Sequence, residues 1–195
     1  MGKNRLEAFS DGVIAILITI MVLELKVPEG HTLADVGPMV PHLLAYLMSF
    51  AYLGIYWNNH HHLIQAVKQV NGRILWANQH LLLWLSLVPL GTLWIGDSHY
   101  ARTPVAIYGV LLLGAAIAYY ILARTLVSHH GKDSTIAAAL GADFKGKISI
   151  GIYALAIVLA LYVHPLVATA LYALVAVMWL IPDRRIEDIL LKGVQ

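Results

Sequence analysis

The chain has 195 residues, of which 59% are apolar in type and 12% charged, and its mean hydropathy is +0.73. That charged share is about half the roughly 25% usual in soluble domains, which points to a membrane domain. Thirteen Lys and Arg against eleven Asp and Glu leave +2, too little for a nucleic-acid partner, and the lack of cysteine excludes disulfides, thiolate metal sites and cysteine nucleophiles.

Six apolar stretches follow one another, predicting spans at about 6–27, 39–68, 73–96, 103–127, 146–163 and 165–182 and a cytoplasmic tail at 183–195. The expected fold is an all-α membrane protein, one six-span domain over 1–195. A helix needs about 20 residues to cross the hydrocarbon core, so the last two stretches are short. None alternates with period two, which argues against barrel strands. Glu7, Asp11 and Glu24 interrupt the amino-terminal stretch and no small-residue cleavage site follows, so it reads as a retained span.

Turn chemistry separates the spans. Pro28-Glu29-Gly30 ends the first, Pro38 and Pro41 open the second, and Asn71-Gly72 makes a tight turn before the third. Pro104 suits the first turn of the fourth, and His164-Pro165 makes a short turn between the last two. Ser134–Ala142 reads as a short surface helix, Ile186–Leu191 as an amphipathic tail, and His129-His130 as an exposed loop pair. Even-numbered crossings put eleven of the thirteen basic residues on one side, with only Lys26 and Arg102 opposite. Both termini are therefore expected in the cytoplasm.

The first span is unusual because its uncharged run, Gly12–Leu23, covers only about 18 Å of helix. A short helix with acids at both ends belongs inside protein or beside water. At 100° per residue Gly12, Ile16, Thr19, Ile20 and Leu23 share one stripe. From periodicity alone the stripe reads as packing against neighbouring helices, with Thr19 bonding back to a carbonyl. Leu17 stands about 100° off it. Asp11 reads as an acid paired to Arg5 or capping the helix start.

Three spans bring polar groups to one depth near the cytoplasmic side. Span two carries Trp57, Asn58, Asn59, His60, His61 and His62 there, span three Trp76, Asn78 and His80, and span one Arg5, Ser10 and Asp11. Buried polar groups must satisfy one another, so a hydrogen-bonded network is expected, either as glue between helices or as a brace for a functional helix.

Arg5-x-x-x-Phe9-Ser10-Asp11 followed by Gly12-Val13-x-Ala15-Ile16-x-x-Thr19 resembles the signature of the lysosomal and bacterial potassium-channel family called transmembrane protein 175. Further matches are Tyr56-Trp57-x-x-His60-His61, Leu75-Trp76-x-Asn78 and Ser86-Leu87-x-Pro89. The sequence departs from the pattern at Gln79-His80, where apolar residues are expected, and at His62, where a base such as Arg is common. The resemblance implies a potassium-preferring cation channel, not an enzyme, with the first helix lining a central pore and no Thr-Val-Gly-Tyr-Gly carbonyl filter. A one-repeat chain would assemble as a homotetramer in a bacterial inner membrane, with membrane lipid and permeating K+ as its other partners and no cofactor or resident metal.

Residue by residue, the resemblance puts the hydrophobic constriction at Ile16, with Ile20 and Leu23 on the same side, and Thr19 in a role assisting selectivity. Arg5, Phe9, Ser10, Asp11, Trp57, Asn78 and His60 or His61 would hold the pore helix. A cation- or proton-coupled transporter is the main rival, but its inverted repeats are not visible and the acids sit at span ends. A metalloenzyme fits poorly because adjacent histidines on a helix point 100° apart.

Overall fold

The structure, a computed structural model, describes residues 2–28, 30–67, 69–131, 134–140 and 143–180. The tail at 183–195, and Glu29, Lys68 and Lys132 of the charge map, lie outside the described residues. Helix α1 runs Lys3–Leu23 and α2 Val40–Gln65, the latter entered through a 3-10 turn at Leu33–Met39. Then come α3 (Gly72–Ser86), α4 (Val88–Asp97), α5 (Arg102–His130), α6 (Thr135–Leu140), α7 (Phe144–Tyr162) and α8 (Pro165–Leu180). Among the described residues there is no β-strand.

Local chemistry sets most boundaries. Asn71 caps α3 by accepting the Ile74 backbone N–H at 3.0 Å, so Asn71-Gly72 is the helix start itself. Pro41 and Pro165 stand in the first turns of α2 and α8, where a missing N–H costs nothing. The third apolar stretch, expected as one span, is broken at Leu87 into α3 and α4. Pro89 explains the break: it cannot donate to the Leu85 carbonyl, and its ring crowds that oxygen. His129 and His130, expected in a loop, instead close α5, with His129 Nδ1 bonded to the Asn71 amide at 3.1 Å.

Among the described residues five stretches are long and apolar enough to cross a membrane: Lys3–Leu23, Leu33–Gln65, Gly72–Asp97, Arg102–His130 and Phe144–Tyr162. The shorter Pro165–Leu180 reaches only about 24 Å. Helix α5 is the hub, packed on α3, α4, α7 and α8. Its close approach to α3 depends on Gly114, which lies directly beneath the Trp84 ring. Helix α1 packs with one face against α2, α3 and α4.

A polar cluster that the sequence did not disclose ties the core helices together. Ser49 Oγ lies 2.6 Å from Thr92 Oγ1 and 2.8 Å from Tyr108 Oη. Tyr52 donates to the Tyr172 carbonyl at 2.6 Å, and Tyr172 donates to the Val105 carbonyl at 3.2 Å. Each of these groups is buried, so each needs the partner it has.

Basic side chains at the helix ends satisfy carbonyls that no further turn can reach. Lys3 Nζ donates to the Gln65 carbonyl closing α2 at 3.2 Å. Arg102, one of the two bases expected on the sparsely charged side, donates to the Leu161 and Val163 carbonyls at the end of α7, at 3.1 and 3.4 Å.

Candidate functional site

Helix α1 divides into two faces. Leu6, Ser10, Ile14, Leu17 and Met21 are buried at i, i+4 and i+7 spacing against the rest of the subunit. Opposite them Gly12, Ile16, Thr19, Ile20 and Leu23 are all exposed, Ile16 at 57% and Leu23 at 82%. Among the described residues the stripe is therefore the uncovered face of α1. A row of branched apolar side chains around one hydroxyl is left uncovered on a membrane helix. Thr19 Oγ1 donates to the Ile16 carbonyl at 2.9 Å, so its proton is spent and its lone pairs remain on the exposed side. Leu17, by contrast, is 7% exposed and belongs to the core.

Behind this stripe lies a directional chain of hydrogen bonds. Ser10 Oγ donates to the Leu6 carbonyl at 2.9 Å, as a helix hydroxyl does. Its lone pair accepts Asn78 Nδ2 at 3.0 Å, which leaves Asn78 Oδ1 as the acceptor toward His60 Nε2 at 2.7 Å. The order fixes the histidine tautomer: the proton sits on Nε2. Ser10, His60 and Asn78 are fully buried, so the chain pins α1 to α2 and α3 where no water competes.

A second, more open layer lies at the same end. Trp57 Nε1 donates to Asp11 Oδ1 at 3.0 Å. His61 Nδ1 donates to Glu7 Oε1 at 2.9 Å, and its Nε2 accepts the Gln65 amide at 2.7 Å. Both histidines thus reach α1, His60 through Asn78 and His61 through Glu7. The Arg5 side chain is exposed and makes no hydrogen bond or ion pair among the described residues, and Phe9 is exposed beside it. Neither reading of Asp11 from the sequence holds: six residues of helix put it about 120° from Arg5, and α1 starts at Lys3, eight residues before it, so it does not cap the helix. Among the described residues no three His, Asp or Glu side chains gather as a metal site would require.

Residues 5–89 match the family described as endosomal/lysosomal potassium channel TMEM175. A protein of Chryseobacterium sp. strain P1-3, described as a potassium channel, is 58% identical over 187 residues, covering 96% of this chain and 97% of its own length. The chain belongs to the TMEM175 family. It is a multi-pass membrane protein of an ion-channel family and not an enzyme.

The crystal structure of a lysosomal potassium-selective channel TMEM175 homolog from Chamaesiphon minutus superposes with a TM-score of 0.75 at 28% identity. It covers 91% of this chain and 95% of that one. Human TMEM175, described as an endosomal/lysosomal proton channel, is 33% identical over 116 residues, covering 53% of this chain and 23% of its own length. The matched residues 5–89 run from α1 to the Pro89 break, so they contain the exposed stripe and both polar layers.

Sequence reasoning missed Glu7 as the partner of His61. The signal was present: Glu7 precedes Asp11 by four residues and His61 follows Trp57 by four, so the two pairs stack one turn apart.

Proposed function

We propose that this protein is a potassium-preferring cation channel of a bacterial inner membrane, a homotetramer around one pore. The observation that carries this reading is the 58% identity to a relative described as a potassium channel, along nearly the full length of both chains. In this reading each chain is one six-span domain over 1–195, with both termini and the tail at 183–195 in the cytoplasm. Exposed apolar side chains such as Leu155, Val158 and Leu174 then face lipid.

Helix α1 lines the pore, and its exposed stripe supports that role. Four copies of Ile16, with Ile20 and Leu23 toward the outer mouth, form hydrophobic rings that close by dewetting and conduct when they widen for a partly hydrated cation. Thr19 offers an oxygen whose proton is already engaged, the polarity a cation requires. One such oxygen per subunit replaces little of a hydration shell. Without a carbonyl filter, the preference for K+ over Na+ is therefore modest. Ser10, Asp11, Trp57, His60, His61 and Asn78 hold the pore helix and stay off the ion path, with Phe9 and Arg5 beside them at its inner end.

The test is planar-bilayer recording of purified protein with potassium on one side and sodium on the other. A reversal potential of the sign set by potassium is expected. The absence of current, or a flux that requires a coupled second ion, would favour the transporter instead. The animal relatives described as proton channels favour a second reading, proton passage through the same pore. A pH gradient across the same bilayer measures it.

A further inference from the structure

Two amide side chains have no function in the subunit as described. Asn58 on α2 and Gln79 on α3 are both exposed, and neither side chain makes a hydrogen bond among the described residues. Both lie within stretches long and apolar enough to cross a membrane. Gln79 is also the position where the chain departs from the apolar residue its family pattern leads one to expect. Primary amides left against hydrocarbon lose their water partners with nothing in exchange.

The two amides share one depth. His60 of α2 is bonded to Asn78 of α3. Asn58 is two residues from the first and Gln79 one from the second, so they are level to within about 3 Å. They also flank α1 from two sides. Trp57 and His61 of α2 meet Asp11 and Glu7 on one side of α1, and Asn78 of α3 meets Ser10 about 80° farther round the helix. Beside Trp57 the free face of α2 presents Asn58, and the free face of α3 presents Gln79 between the exposed Trp76 and Leu83.

We propose that these flanks are the two halves of the subunit–subunit interface, and that Asn58 of one copy bonds the amide of Gln79 in the next. The proposal rests on the channel reading above. With α1 at the axis of a ring, each subunit is a wedge whose α2 flank meets the α3–α4 flank of its neighbour, a heterologous contact that closes on itself. An amide both donates and accepts, so one such pair satisfies both side chains across the boundary. The polar pair also fixes the register of two otherwise apolar faces, the best-attested use of a buried polar residue in helix association.

The chain has no cysteine, so thiol cross-linking has no background. Asn58→Cys/Gln79→Cys protein in native membranes, treated with a short bis-methanethiosulfonate reagent, should convert the monomer band into a ladder ending at four chains. Co-expressed Asn58→Cys and Gln79→Cys single variants should give dimers and nothing larger. Asn58→Cys/Val158→Cys, whose second thiol lies on the lipid side of α7, should stay monomeric on the gel. Cross-linking of either single variant to itself would mean that like faces meet, and would overturn the proposal. Mass measurement of the untreated protein separates the two readings. A four-chain mass without the 58–79 cross-link sinks the interface and leaves the tetramer, whereas a monomer mass sinks both.

Discussion

Ile16 and Leu17 are adjacent in the chain and face opposite surroundings, one open and one in the core. Their substitutions should therefore separate conduction from folding. Ile16→Asn puts an amide at the proposed narrowest ring and should raise single-channel conductance while weakening selectivity, measured in bilayers. Leu17→Ala should leave unitary conductance nearly unchanged and lower stability in detergent by about 2–5 kcal/mol, the range for a truncated core leucine. An unchanged conductance in Ile16→Asn would mean that the ring lies elsewhere on α1. The buried chain behind the stripe makes a second residue-scale test. Ser10→Ala leaves the Asn78 amide without its acceptor and should cost about 1–3 kcal/mol. Ser10→Ala combined with Asn78→Leu should cost less than the two singles summed, because the second change removes the group the first orphaned. Strict additivity in thermal melts would show that the chain is not coupled.

Among elements, α1 was the most legible, since its stripe and its depth relative to His60 and Asn78 follow from counting 100° per residue. Which groups would pair was less legible. Asp11 has its partner in Trp57 and not in Arg5, because pairing is decided by faces across helices and no sequence spacing encodes the angle between α1 and α2. The tyrosine cluster was hidden for the same reason: Tyr52, Tyr108 and Tyr172 come from three helices far apart in the chain. The division of α3 from α4 was available in Pro89, but apolar length outweighed it. Gly114 shows how packing depends on a position that looked featureless, for its missing side chain admits the Trp84 ring. Gly114→Val should force α3 away from α5 and lower stability by about 1–3 kcal/mol, the usual cost of overpacking. A circular-dichroism melt in detergent measures the loss, and an unshifted midpoint would show that the contact between α3 and α5 is loose.

At the scale of the whole molecule, the proposed ring turns single charges into fields. Glu24 closes α1 one residue beyond Leu23 and is exposed, so in the proposed tetramer it would repeat four times about the proposed outer mouth. Its inner counterpart, Asp11, is engaged by the Trp57 indole and points away from the stripe, which leaves the outer acids as the stronger concentrators of cations. The effect must depend on salt. At 0.01 M the Debye length is about 30 Å and the four carboxylates act over the whole entrance, whereas at 1 M it is about 3 Å and they are screened. Glu24→Gln should therefore reduce inward potassium conductance several-fold at low ionic strength and change it little in molar salt. A loss that persisted undiminished at high salt would assign Glu24 to holding the mouth in shape, since a structural role has no reason to fade as the ions are added.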